Sequence, residues 1–233
     1  MSTSAFFPNV RKLVKSEPSS APSLSKTDIL NWAAKYRLKV EGKKRSLLLY
    51  PFWEDIYKDD TSEIMIMGGR QIFKSTFITD VLAFRATTQP DSTVIFVTHD
   101  NDNRDSFANQ KFRQGCIRSN RSLRKLVDGF NQGSSNEVRF KNGSTIYFVT
   151  DENRYCHVEG KSPDEVIFDE SQYQTLEYLP IVREACATTR GKIKIIGVGG
   201  EGGSEYEKLW QLTDQREWIY DDPFWRDKLR FMT

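Results

Sequence analysis

Cysteine is scarce in this chain, and the three present, Cys116, Cys156 and Cys186, are scattered with no C-x-x-C pair among them. An odd, unpaired set excludes a disulfide scaffold or a zinc ribbon and suits reduced thiols in or near a core. Histidine is scarcer still. His99 and His157 stand apart, without acidic or thiol partners at ligand spacing, and both read as structural or surface residues. No apolar run approaches the length that spans a bilayer, and the N-terminus lacks the apolar core of a signal peptide, so no membrane partner is expected. Internal repeats are absent. What remains is a chain of 233 residues, 38% hydrophobic and 28% charged. That composition predicts a soluble globular protein built as one large α/β domain, or as a domain with an arm.

The net charge of +2 is unevenly spread. Residues 1–45 carry ten Lys and Arg against Glu17, Asp28 and Glu41, a net of +7, which leaves −5 on the rest. Ser and Pro are frequent between Ser16 and Ser25. Two readings are open for residues 1–45: a basic arm that touches nucleic acid or an acidic partner, and a solvated, partly flexible leader. A helix is expected to start near Ser25-Lys26-Thr27-Asp28, with Ile29, Leu30, Trp32, Ala33 and Tyr36 at helical spacing. The remainder, 46–233, is expected to form the main domain.

The richest stretch follows the apolar run Ile64 to Met67. It reads Met67-Gly68-Gly69-Arg70-Gln71-Ile72-Phe73-Lys74-Ser75-Thr76. A buried strand breaks at glycines and leads through Lys-Ser-Thr into a helix from about Phe77 to Ala86, which is the layout of a phosphate-binding P-loop. Backbone N–H groups of Gly68 to Thr76 and the positive helix end would wrap the phosphates of ATP. Lys74 would reach the β/γ oxygens, and Ser75 would hold Mg²⁺. Phe73 stands where the motif has glycine, so taken alone the stretch reads equally well as a glycine turn before an amphipathic helix.

A second motif lies 95 residues beyond Lys74, in Val166-Ile167-Phe168-Asp169-Glu170. An apolar strand ending in two carboxylates is what a P-loop enzyme needs: Asp169 for the Mg²⁺ shell and Glu170 to orient and deprotonate the attacking water. The order and combination of the two motifs predict ATP hydrolysis.

Between and after them, Pro51-Phe52-Trp53 opens a short helix, Thr93 to Thr98 is a buried strand, and Asn103 to Gln114 a polar helix. Asn142-Gly143 between Glu137–Phe140 and Ser144–Val149 marks a hairpin. A helix from about Leu176 to Ala187, a strand Ile193 to Val198, a loop Gly199 to Gly203 and a helix Ser204 to Leu212 follow. This alternation predicts a mainly parallel sheet with helices on both faces, the RecA-like P-loop NTPase class. Tyr147, Phe148 and Tyr155 read as sheet packing.

From about Tyr50 to Trp210 the chain resembles the ATPase domain of viral large terminases. The residues that carry the resemblance are Gly69 to Thr76, Phe140-Lys141-Asn142-Gly143-Ser144, Val166 to Glu170, Ile195-Ile196-Gly197-Val198-Gly199-Gly200 and Tyr206-Glu207-Lys208-Leu209-Trp210. The arginine inside the P-loop discriminates best. The resemblance implies nucleotide sensing by Arg70, which joins Lys74 and Glu170 as a candidate catalytic residue, and coupling of hydrolysis to movement in the loop after Ile196. It further implies translocation of double-stranded DNA into a procapsid by a homo-oligomeric ring on the portal protein, with the small terminase subunit, in the host cytoplasm.

Three departures accompany it. Phe73 replaces a glycine. Glu159-Gly160 stands where the family often has Arg-Gly, so a finger to the neighbouring subunit would shift to Lys161 or Arg154, or be missing. Trp53 follows Pro51-Phe52 where the family usually has an adenine-contacting glutamine; stacking on adenine and packing in the core are both open for it. The family's nuclease domain has no counterpart before Thr233, so an isolated motor domain is expected. Two competing functions are a helicase-like remodelling ATPase and a nucleotide-binding docking module with a defective P-loop.

Overall fold

The apolar runs of the sequence become the central strands of one six-stranded sheet. The computed structural model describes residues 29–36, 39–40, 43–44, 51–129, 136–151, 158 and 160–216. The arm before Ile29 and the side chains of Arg154, Tyr155, Cys156, His157 and Glu159 lie outside the described residues.

Helix α1 (Ile29–Lys35) and a short antiparallel pair, β1 (Lys39–Val40) and β2 (Lys43–Lys44), precede helix α2 (Phe52–Lys58). Then come β3 (Glu63–Met67), α3 (Lys74–Thr88), β4 (Thr93–Thr98), α4 (Asn101–Ser106), α5 (Arg121–Arg124), β5 (Glu137–Arg139), β6 (Thr145–Thr150), β7 (Glu165–Phe168), α6 (Leu179–Ala187), β8 (Lys192–Gly197) and α7 (Glu205–Gln211). The strand order is β3-β8-β7-β4-β6-β5. All neighbours run parallel except β5 and β6, the hairpin that the Asn142-Gly143 turn predicts. Gly143 has φ +89, a conformation glycine adopts without Cβ strain. Asn142 secures the turn by donating from Nδ2 to the Ala86 carbonyl at 3.0 Å.

Alternate side chains of the buried strands feed two cores on opposite faces of the sheet, the signature of a sheet covered on both sides. On one face Phe96, Ile146, Phe148, Ile167 and Ile196 pack with α1, α2 and α3. On the other Ile95, Val97, Phe168, Ile193 and Ile195 pack with α6 and α7. Helix α1, at the end of the basic stretch, is docked into the first core: Trp32 is 2% exposed and donates from Nε1 to Thr87 Oγ1 at 3.0 Å.

Three elements differ from their expected form. Helix α3 starts at Lys74, three residues earlier than periodicity suggests, because the Phe73 carbonyl already accepts from the N–H groups of Thr76 and Phe77. The helix from Leu176 opens as a 3₁₀ turn, Leu176–Tyr178, before the Pro180 that suits the first turn of α6. The polar helix after β4 runs on from α4 as π-helical turns through Phe107–Arg118. Its buried residues fall as Phe107 with Ala108, then Phe112, then Cys116 with Ile117, a wider spacing than an α-helix gives and one that suits i→i+5 turns. Phe107 stacks on Phe96 with ring centroids 4.1 Å apart.

Cys116 and Cys186 are buried, and burial pushes the Cys186 thiol up to about 12. Among the described residues no helix is long and apolar enough to cross a membrane.

Candidate active site

Strand β3 ends at Met67, opposite Gly197 of β8, and the Gly68 N–H still donates to the Gly197 carbonyl at 3.0 Å. The chain then leaves the sheet. A Cβ on Gly68 would stand 2.5 Å from Ile72 Cδ1, so the loop folds back over this position and a side chain there would displace Ile72. Gln71 and Phe73 take φ of +61 and +69. For non-glycine residues this left-handed conformation costs about 1–2 kcal/mol each, and the surrounding packing must hold it. Trp53 supplies one such hold. It is 1% exposed, donates from Nε1 to the Ile72 carbonyl at 2.5 Å and stacks on Phe77 at 4.8 Å. Of its two open readings, packing in the core is therefore the one realised, and the residue braces the loop from α2.

Phe73 stands at the N-cap of α3 with its side chain 37% exposed, and its carbonyl accepts from the N–H groups of Thr76 and Phe77. Arg70 and Gln71 are exposed on the loop, whereas Ser75 and Thr76 are half-buried in the first helical turn. Lys74 is buried, its ammonium donating to the carbonyls of Gly68 and Gly69 at 2.9 and 2.8 Å. Burial lowers its pKa. The charges of Glu170 and Asp169 work the other way, and Arg70 adds to the lowering.

On the far side stands the end of β7. Its pairing with β4 sets Val97 beside Phe168, and the Asp169 N–H donates to the Val97 carbonyl at 2.9 Å. Asp169 is nine-tenths buried, and its Oδ1 accepts from the Glu170 N–H at 3.0 Å. Burial, and then the adjacent Glu170 charge, push this carboxyl up to about 7. Glu170 adopts φ +54 and starts a 3₁₀ turn, Ser171–Tyr173. Ser171 Oγ fastens that turn to the Ile196 carbonyl of β8 at 3.0 Å, and Gln174 Nε2 donates to the Asp169 carbonyl at 2.6 Å.

The fold thus brings together Lys74 from the start of α3 and Asp169 and Glu170 from the end of β7, residues distant in sequence. Arg70, Gln71, Ser75 and Thr76 sit on the same loop and helix start. Sequence reasoning missed Gln172, Val198 and Tyr206, which gather beside Glu170. The bare Gln172 two residues after a carboxylate pair is a weak signal, and Val198 and Tyr206 lie in stretches that carry the family resemblance without any role beside Glu170 being assigned to them.

Lys161, a candidate for the missing finger, lies with its ammonium 4.9 Å over the Tyr147 ring. His99 has an acidic neighbour after all: its Nε2 is 2.7 Å from Asp100 Oδ2, while Asp100 Oδ1 caps α4 through the Asn103 N–H. Among the described residues no group of three His, Cys, Asp or Glu side chains is gathered for a metal ion.

Comparison with known proteins extends this picture. No curated protein matches the chain in sequence. Among solved structures, its fold is similar to that of the HK97 bacteriophage large terminase, with a TM-score of 0.64 at 13% identity, over 78% of this chain and 40% of that one. It is also similar to the large terminase ATPase domain of Thermus phage P74-26, with a TM-score of 0.56 at 15% identity, over 72% of this chain and 70% of that one. The chain therefore spans less than half the length of the HK97 protein. At such identities the likeness speaks for the fold alone, a mainly parallel sheet with helices on both faces. The family model described as terminase large subunit, T4likevirus-type, N-terminal, matches residues 65–195. That span is more than half of the chain and holds both the phosphate loop and the acidic strand end, so this protein belongs to the terminase large-subunit family.

Proposed function

We propose that this chain is the ATP-hydrolysing motor domain of a DNA-packaging terminase, translocating double-stranded viral DNA into a procapsid. The observation that carries the reading is the convergence of Lys74, Asp169 and Glu170 at the ends of α3 and β7, with Lys74 in the field of both carboxylates. The Thermus phage relative is itself described as a large terminase ATPase domain.

The donor set fits a magnesium nucleotide. Asp169 is a buried carboxyl next to a second carboxylate, an arrangement that asks for a cation. The loop is closed around the ammonium of Lys74, which is the group that exchanges its two carbonyl partners for phosphate oxygens. Ser75 and Asp169 would hold Mg²⁺, and the loop from Gly68 to Thr76 would hold the phosphates. When bound, the Mg²⁺ neutralises charge that develops on the transferred phosphoryl group. Glu170 takes the proton of the attacking water at its carboxylate. Arg70, exposed on the loop, adds a second cation that responds to the nucleotide.

A basic face supports the DNA half of the reading. From Lys111 to Lys125 there are six Lys and Arg and no acidic residue. Lys111, Arg118, Arg121, Arg124 and Lys125 are exposed there, as phosphate contacts require. Ring formation, the portal protein, the small terminase subunit and action in the host cytoplasm belong to the same proposal.

Phosphate release with and without double-stranded DNA tests it. Lys74→Ala should weaken ATP binding and hydrolysis together. Glu170→Gln should keep ATP bound while the rate falls by about 10²–10⁴-fold. Equal rates in Glu170→Gln and the unaltered protein would overturn the reading.

A further inference from the structure

Glu170 is held by a side chain that the two motifs do not contain. Gln172 Nε2 donates to Glu170 Oε2 at 2.6 Å, and Gln172 Oε1 accepts from the Val198 N–H at 3.1 Å. The two partners dictate the orientation of the amide, since a carboxylate only accepts and a backbone N–H only donates. Glu170 Oε1 accepts no hydrogen bond from the described residues, so the carboxylate is pinned by one oxygen and open at the other. The contact is close by construction. A Cβ on Gly197 would lie 2.5 Å from Gln172 Oε1 and 2.7 Å from the Tyr206 hydroxyl. Only a residue without a side chain lets the amide, the tyrosine and the end of β8 meet. Gly200 continues the same seam, its Cβ position 3.5 Å from Gln172 Cβ and from Ser204 Oγ, the cap of α7.

Gln172 therefore joins the carboxylate at the end of β7 to the backbone at the end of β8, where the glycine loop to α7 begins. We propose that Gln172 is a positioning residue for Glu170: it fixes the carboxylate through Oε2, leaves Oε1 for the attacking water, and makes that geometry depend on the Val198 N–H. A shift of the β8–α7 loop that withdraws Val198 releases the amide and with it the carboxylate. The inference rests on the ATPase reading above and deepens it, because it names what aims the proton acceptor and which loop controls the aim.

The test is steady-state ATP hydrolysis by the full chain and its variants Gln172→Ala, Gln172→Glu, Glu170→Gln and Gln172→Glu/Glu170→Gln. Gln172→Glu keeps the size and the acceptor toward Val198 but sets an acceptor against Glu170. A misplaced reacting group costs up to about 10²-fold, so kcat should fall about 10–100-fold in both single Gln172 variants while KM for ATP stays within about two-fold. In the Glu170→Gln background, Gln172→Glu should cost nothing further, because two residues that act as a unit are not additive. Should Gln172→Ala fail to fold, the isosteric variant and the double variant decide. A kcat in Gln172→Glu equal to or above that of the unaltered chain overturns the proposal, as does full additivity in the double variant. No hydrolysis by the unaltered chain, or a rate equal to that of Glu170→Gln, would instead sink the ATPase reading itself.

Discussion

At the residue scale the most consequential feature is the buried carboxyl of Asp169. Its pKa is raised to about 7 from an ordinary 3.8, by burial first and by Glu170 second. A raised pKa means that folding favours the protonated form, so the stabilising contribution is complete below pH 3.8 and is lost as pH climbs through 7. Asp169→Asn removes that ionisation. The nucleotide-free variant should be as stable as the unaltered chain near pH 4. Its advantage should grow between pH 4 and 7 and level off above, with about 4 kcal/mol as an upper bound. Thermal melts across pH check this; a constant difference at every pH would contradict it. The same group fits the proposed Mg²⁺: with the carboxyl ionised beside Glu170, an added positive charge would relieve both desolvation and repulsion. Tyr206, near the same spot, has a buried hydroxyl with no hydrogen-bond partner among the described residues, and burial pushes its pKa upward.

At the scale of elements, the phosphate loop depends on a helix that precedes its strand. Helix α2 places Trp53 so that its indole N–H reaches the Ile72 carbonyl, and two non-glycine residues of the loop are kept in left-handed backbone. Trp53→Phe retains an aromatic ring against Phe77 but leaves that carbonyl buried without its donor, a loss of about 1–3 kcal/mol. Denaturant unfolding should register the loss, and KM for ATP should rise more than kcat falls, because in the proposed reading the loop holds the phosphates and Glu170 lies elsewhere. An unchanged KM would mean that the loop does not need the brace. The π-helical stretch Phe107–Arg118 shows the same dependence of an element on its neighbours. Phe107 and Phe112 on its buried face pack on Phe96 and Phe148 of the sheet, and a 3.6-residue period does not reveal that face.

Across the whole molecule, the site is held at one end of the sheet and clamped at the other. Glu165 opens β7, whose far end carries Asp169. Its Oε2 accepts from Arg85 Nε and Nη2 at 2.9 and 2.7 Å, and its Oε1 meets the Lys194 ammonium at 2.6 Å. Arg85 is in the last turn of α3, the helix that begins with Lys74, and Lys194 is on β8, the strand that ends at Gly197. One buried carboxylate thus ties together the three elements that build the site. Burial alone would raise the Glu165 pKa, but the charges and hydrogen bonds of Lys194 and Arg85 outweigh it and leave it lowered. A depressed pKa contributes stability that is present above about pH 4.5 and lost as pH falls below it. Glu165→Gln leaves two cations facing a neutral amide and should cost about 3–5 kcal/mol at neutral pH. The deficit should shrink as the unaltered chain is acidified. A variant equally stable at pH 7 would show that the triad contributes nothing net.

The alternation of apolar strands with helices, the glycine break before Lys74 and the paired carboxylates after Phe168 are local patterns, and local patterns determine element type and the place of each motif in the chain. They carried the parallel sheet, both motifs and the hairpin at Asn142-Gly143 directly. They also singled out Lys74, Asp169 and Glu170, which the fold brings together, but not Gln172 beside Glu170. What they could not carry are relations between residues far apart in sequence. The Glu165 clamp and the seam of Gln172, Gly197, Val198 and Tyr206 exist only once strand order puts β8 between β3 and β7, and the brace from Trp53 only once α2 packs on the loop after β3. The sequence by itself decided which elements form and which reactive side chains end them. Tertiary structure decided which groups face one another, because hydrogen bonds and charge pairs depend on distance in space and not along the chain.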